Sequence, residues 1–218
     1  MEVDSIIKHV KHSIHLAYNN KSKLSDEITL MEGMSGTKTR NLYNNICSMG
    51  FKNYLEIGPW KGSSFISAMY HNNVFGYCVD NWLSFGEPKD EFLDNITKYL
   101  KKESFKIIEK DCWTLTQNDI PNPIDIFLYD ADNTYESHIK AITYFHKFFS
   151  KYVIIIIDDW VCIDFPYIKE ATLCGLTEMN MKIHFQEEIG LVNTRQYHKS
   201  LDTFWNGCGI FVCERTDI

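Results

Sequence analysis

Short apolar runs alternate with longer amphipathic stretches along most of this chain. The runs are NYLEIG (53–58), VFGYCVD (74–80), FKIIEK (105–110), IDIFLYD (124–130), YVIIIID (152–158), MKIHFQ (181–186) and GIFVCE (209–214). Their length, their wealth of Val, Ile, Phe and Tyr, and their lack of a helical period predict strands. Between them, apolar positions three and four apart predict helices near 62–72, 88–102, 133–149 and 165–174, with a shorter one after Trp113. Runs that are apolar at nearly every position suit a parallel sheet covered on both faces, and strand–helix–strand order joins neighbours by right-handed crossovers. The last two runs are separated by a long loop in place of a helix, so they are expected to pair as an antiparallel hairpin. The pattern predicts an α/β, Rossmann-like fold with a seven-stranded, mostly parallel sheet and a C-terminal antiparallel hairpin.

The first fifty residues break this rhythm. SIIKHVKHSIHLAYNN and TKTRNLYNNICSM have helical spacing and are joined by a loop carrying EGMSG (32–36). They are too few to bury a core of their own. Residues 1–50 are therefore expected as an N-terminal helical lid or oligomer contact on residues 51–218, within one domain overall. Composition narrows the partners. A formal net charge of −7 over 218 residues offers no basic face to nucleic acid or to an anionic membrane, which leaves a small molecule or another protein. The seven cysteines are odd in number and contain no C-x-x-C pair, which suits free thiols in a reducing compartment. MEVDSIIKHVKHSIHLAYNN has early acids and no unbroken apolar stretch, so neither a signal peptide nor a membrane span is expected, and the chain reads as cytoplasmic.

In an open parallel sheet, ligands bind beyond the carboxyl ends of the strands. Those ends are patterned here. The first strand finishes in EIGPWKGSS, with Glu56, Gly58, Gly62 and Ser64. Glycines at such a turn let a ligand approach the backbone, and the amides that open the next helix favour an anionic group. The second strand ends at Asp80 in VDNW, where an acid can accept from both hydroxyls of a ribose. The third is followed by DCW (111–113), and the fourth ends at Asp130 in YDAD. The fifth, VIIIIDDW, sets Asp158 and Asp159 side by side after five β-branched residues. A single acid after a strand is often a helix N-cap, a role open to Asp111 and Asp159. Five strands ending in acids or glycines at one edge point instead to a binding site. The turn reads G-P-W-K-G, whereas dinucleotide-binding domains carry G-x-G-x-x-G.

Taken in order, YLEIGPWKGSS, VDNW, DCW, IFLYDADNTYES, IIIIDDW and WNGCGIFV resemble the successive motifs of class I S-adenosylmethionine-dependent methyltransferases. The likeness is strongest to small metal-dependent O-methyltransferases of the catechol and macrolide-sugar type, and it covers roughly residues 30–218. The resemblance implies the methyltransferase version of the fold and S-adenosylmethionine as cofactor. It places Glu56, Gly58, Gly62 and Ser64 at the methionine end, Asp80 on the ribose with Asn81 and Trp82 beside it, and Asp111 and Cys112 at the adenine. Met34, in EGMSG, would belong to a lid over the cofactor. Asp130 would border the cofactor, act in catalysis and share a divalent cation with Asp158 and Asp159. An all-oxygen set of this kind suits Mg²⁺ better than zinc, which favours His and Cys. The family also implies a homodimer and a small hydroxylated acceptor, sugars included.

One position departs from the family. Where its members commonly read D-G-D-H-S-Y-E, this chain reads DADNTYES, so Asn133 stands in place of the histidine near the acceptor. An amide is no base at neutral pH. Activation by the cation alone could suffice, or Asp132 or His138 nearby could substitute, although a lone histidine on a helix is usually structural; no base is assigned. Trp160 and FWNG (204–207) are candidates for aromatic surface at the mouth of the pocket, and GLVNTRQYHKSLD (190–202), with Arg195, His198 and Lys199, for a loop over the acceptor. Two rivals stand beside the enzyme reading. One is a catalytically silent relative that binds the cofactor as a subunit or scaffold. The other is a nucleotide-dependent enzyme such as an NAD-dependent dehydrogenase.

Overall fold

The structure is a computed structural model that describes residues 2–190 and 203–217. Seven strands make one sheet: β1 (Asn53–Ile57), β2 (Phe75–Asp80), β3 (Phe105–Glu109), β4 (Ile124–Tyr129), β5 (Phe149–Asp158), β6 (Lys182–Ile189) and β7 (Cys208–Glu214). Their order is β3-β2-β1-β4-β5-β7-β6, parallel from β3 through β5, with β7 antiparallel to both β5 and β6. This is the predicted mostly parallel sheet with its closing hairpin. The chain builds outward from β1 to β3 and then returns to β4, so the strand order reverses between β1 and β4. A crevice opens at the carboxyl ends of strands where such a reversal occurs.

Among the described residues, seven α-helices accompany the sheet: α1 (Val3–Tyr18), α2 (Asp26–Thr29), α3 (Thr37–Ile46), α4 (Ser63–Met69), α5 (Lys89–Tyr99), α6 (Tyr135–Thr143) and α7 (Ile168–Glu178). The period-two alternation of the strands divides the core in two. Tyr54, Cys78, Leu128, Ile154 and Ile156 face α1, α3, α4 and α5, while Leu55, Val79, Phe127, Ile155 and Ile157 face α6 and α7. Both faces of β5 are thus apolar, and its run of β-branched residues suits that doubly buried position. Ile6 and Val10 of α1 and Leu42 and Ile46 of α3 are fully buried in the first of these cores. No helix among the described residues is long and apolar enough to cross a membrane. All seven cysteines are free.

Local chemistry shifts several boundaries. α6 starts after Thr134, whose hydroxyl accepts from Ser137 N while Ser137 Oγ accepts from Thr134 N, a reciprocal cap. The expected helix through 149 stops at Thr143, gives way to a tight turn at Phe145–Phe148, and leads directly into β5 at Phe149. A register irregularity between Ile124 and Ile126 of β4 accommodates those extra residues of β5.

Candidate active site

The turn after β1 is built from backbone. Gly58 has φ +86°, and a Cβ there would lie 1.7 Å from the Asp130 carbonyl oxygen, so only glycine lets the end of β1 touch the end of β4. Two residues on, Trp60 holds φ +46°, a conformation uncommon for a bulky side chain. It is secured from the neighbouring strand: Trp60 N donates to Asp80 Oδ2 at 3.3 Å, Trp82 N to Asp80 Oδ1 at 2.8 Å, and Trp82 Nε1 to Trp60 O at 2.9 Å. Burial raises the Asp80 carboxyl above its ordinary pKa, and the amides of Trp82, Trp60 and Asn81 oppose that rise. Behind the turn, Glu56 is fully buried and accepts hydrogen bonds from the hydroxyls of Tyr54 and Ser64. Burial pushes the Glu56 carboxyl up to about 7, against the pull of those two hydroxyls.

The ends of β4 and β5 gather acids. One carboxylate oxygen from each of Asp130, Asp158 and Asp159 lies within 4.8 Å of the others. Burial pushes the Asp130 and Asp158 carboxyls well above the usual carboxylate range, and the neighbouring acids add to the effect. Asp158 Oδ1 accepts from Tyr43 OH of α3 at 3.2 Å. Asp159 Oδ2 accepts from Asn133 Nδ2 at 2.7 Å and Oδ1 from Asn206 Nδ2 at 2.6 Å. Among the described residues, nothing donates a hydrogen bond to the Asp130 carboxylate.

No family model matches the sequence, and no curated protein matches it either. Solved structures do match the fold. The O-methyltransferase from Bacillus cereus in complex with SAH aligns with a TM-score of 0.57 at 14% identity over 96% of this chain and 91% of that one. A putative RNA methyltransferase from Pyrococcus horikoshii aligns with a TM-score of 0.52 at 15% identity over 94% and 97%. SMU.776, a putative methyltransferase complexed with SAH, aligns with a TM-score of 0.59 at 12% identity over 84% of this chain and 50% of that one, so the chain spans half the length of that protein. The fold is the Rossmann-like methyltransferase fold. At these identities the likeness concerns architecture alone.

Within this methyltransferase fold, a cleft of about 850 Å³ runs across the carboxyl ends of the strands and joins the two regions. Gly58, Ser64, Asp80, Asn81 and Trp82 line one part, Asp111 and Cys112 lie beyond β3, and Asp130, Asp158 and Asp159 line the other part. Met34 also lines it, with 42% of its surface exposed. Glu56 and Gly62 do not line it: Glu56 lies behind the turn, and a Cβ on Gly62 would meet the Phe92 ring at 3.1 Å. Asp111 does both things open to it, since it lines the cleft and caps the turn Cys112–Thr114 by accepting from Trp113 N at 3.0 Å. Burial raises the Cys112 thiol to about 12, so it is a neutral wall.

Three alternatives left open by the sequence are decided by the structure. Asp159 caps no helix, because α7 begins only at Ile168 and both carboxylate oxygens serve Asn133 and Asn206. Trp160 is 2% exposed and packs edge-on against Phe211, so it forms no part of the mouth; Trp205 of FWNG does line the cleft. His138 is fully buried and faces Asn133, with burial lowering its pKa to about 4, so it is a neutral group behind the cleft and no base at the acceptor. Arg195, His198 and Lys199 lie outside the described residues. Tyr43, Phe165 and Tyr167 were not singled out from the sequence, and Asn206 was, within FWNG, without its contact to Asp159. The only signal for them was their polar or aromatic character beside an expected strand end or loop, and Tyr43 meets Asp158 across 115 residues of chain.

Proposed function

We propose that this chain is an S-adenosylmethionine-dependent methyltransferase that methylates a hydroxyl of a small acceptor with the help of a divalent cation, Mg²⁺ by the chemistry of the site. The observation that carries the reading is the continuity of the cleft. One space connects the Gly58 turn and Asp80 to the acids of β4 and β5, so a cofactor at the first would reach an acceptor at the second. S-adenosylmethionine, when bound, supplies a methyl group on an electrophilic sulfonium, and a divalent cation supplies Lewis acidity toward the acceptor oxygen.

The residues fit both groups. Gly58 leaves the backbone open to close approach, and Asp80 keeps acceptor capacity beyond its amide bonds, since a carboxylate offers about four lone-pair sites. Met34 and Cys112 add apolar wall along the same cleft. Asp130, Asp158 and Asp159 form an all-oxygen set whose mutual repulsion a cation relieves. Asp130 is the pivot: its backbone touches the Gly58 turn and its carboxylate faces the other two acids. Holding acceptor oxygen, methyl and sulfur in line is most of what such a displacement asks of the protein, and the close junction of β1 with β4 serves that end.

The sheet argues against the dehydrogenase rival. Dinucleotide-binding sheets run 3-2-1-4-5-6, whereas here an antiparallel β7 is inserted between β5 and β6. The silent-subunit rival is motivated by Asn133, which leaves the site without the family's histidine. Turnover separates it from the enzyme reading. Incubation with S-adenosylmethionine and a panel of hydroxylated aromatic and sugar acceptors is expected to release S-adenosylhomocysteine with Mg²⁺ and not with a chelator. Binding of cofactor with no release on any acceptor would favour the silent reading.

A further inference from the structure

We propose that Asn133, held from behind by His138, is a positioning residue that fixes the Asp159 carboxylate jointly with Asn206, and that it handles no proton of the acceptor. This rests on the reading of Asp130, Asp158 and Asp159 as a cation site.

Asp159 leaves β5 with φ +55°, a conformation that Asp adopts more readily than most residues. Its side chain is oriented from two other segments, through Asn133 at 2.7 Å and Asn206 at 2.6 Å. Both donors are themselves held. Val161 N donates to Asn206 O at 3.0 Å and Trp160 N to Gly207 O at 3.4 Å, which docks 206–207 against the residues after β5. Tyr167 OH donates to Asn133 O at 2.8 Å, and His138 Nε2 lies 3.0 Å from Asn133 Oδ1. Asn133 turns Nδ2 toward Asp159 and Oδ1 toward His138, and an amide oxygen can only accept a hydrogen bond. His138 must then donate through Nε2. Its Nδ1 becomes the bare acceptor, and Nδ1 is the ring atom that lacks a partner among the described residues. The ring is fully buried and packs edge-on against Tyr129, centroids 5.3 Å apart, which holds it in this orientation.

A carboxylate with an amide on each oxygen keeps a free lone pair on each, so Asp159 meets a cation from a fixed direction. The residue at the family's histidine position thus serves the ligand, not the acceptor. Partners that orient a metal ligand are worth roughly 10- to 100-fold in metal affinity.

The test is a Mn²⁺ titration of the full chain, read by the electron paramagnetic resonance of free Mn²⁺, alongside S-adenosylhomocysteine affinity by calorimetry. Asn133→Ala and Asn206→Ala are each expected to weaken Mn²⁺ binding by roughly tenfold or more while S-adenosylhomocysteine binding stays within about twofold. His138→Phe should reproduce part of the loss, and His138→Gln, whose amide can donate where Nε2 does, should recover it. If Asn133→Ala does not fold, Asn206→Ala and the His138 pair carry the test. Wild-type Mn²⁺ affinity in the Asn133 and Asn206 variants, with binding lost in Asp158→Ala, would overturn the clamp and leave the cation site standing. No Mn²⁺ binding to the wild type would overturn the cation site and the clamp together, and the calorimetry would show whether the cofactor site survives.

Discussion

The two ends of the cleft surround their carboxylates differently. At the glycine-turn end, Glu56 takes two hydroxyl donors and Asp80 takes backbone amides, so each acid is supplied from within the fold. At the other end three acids crowd together: Asp130 takes no donor among the described residues, Asp158 takes one hydroxyl, from Tyr43, and Asp159 takes the side-chain amides of Asn133 and Asn206. An end whose acids stand apart and take their donors from the fold is suited to a ligand that binds by shape and hydrogen bonds. An end that concentrates unneutralised acids is suited to a cation. This contrast is the physical basis for the division of labour proposed between cofactor and metal.

The sharpest way to test the contrast is to remove an acid from the second end alone. Asp158→Ala is expected to take Mn²⁺ binding below detection while leaving S-adenosylhomocysteine affinity within about threefold. A metal-stimulated Asp158→Ala enzyme would remove the site. Gly58→Ala strikes the point where the ends meet, since its Cβ would collide with the Asp130 carbonyl at a positive φ. A loss of several kcal/mol in chemical denaturation is expected, with both ligands weakened in whatever folds.

Glu56 gives a pH signature to the first end. Its ordinary pKa of 4.5 rises to about 7 in the fold, so between those values the folded chain holds more proton than the unfolded one. Stability from this group is therefore greatest below about pH 4.5, declines as pH rises through 7, and levels off above. The decline is on the order of 3 kcal/mol. Glu56→Gln should flatten that part of the curve in urea melts taken at a series of pH values, and an unchanged slope would mean the carboxyl does not carry it. Asp80→Ala is the mildest of the set: S-adenosylhomocysteine affinity should fall by roughly tenfold, the worth of a hydrogen bond to a charged acceptor, with Mn²⁺ binding unchanged.

The same contrast explains how far the sequence could be read. The sheet was visible because doubly buried strands are continuous apolar runs, and Val153–Ile157 of β5 is such a run. The start of β5 was missed because Phe149, Ser150, Lys151 and Tyr152 mix polar with apolar positions and follow an interrupted helix. Asp80, Asp130, Asp158 and Asp159 were found because strand ends are local. Glu56 was also found, but it was expected at the cofactor and lies behind the turn instead, paired with Tyr54, which is two residues away and so shares its strand face. The contacts of Asn206 and Tyr43 could not be found locally, since they reach Asp159 and Asp158 across 47 and 115 residues. Such pairings come from the packing of α3 and of the turn before β7, which no local pattern encodes.

Calorimetric titration with S-adenosylhomocysteine decides whether the cleft holds the methyltransferase cofactor. The titration is run once with Mg²⁺ and once with a chelator. Binding in the micromolar range is expected in both buffers, because Gly58 and Asp80 are complete without a cation. No heat in either buffer would contradict it and send the cleft to another nucleotide.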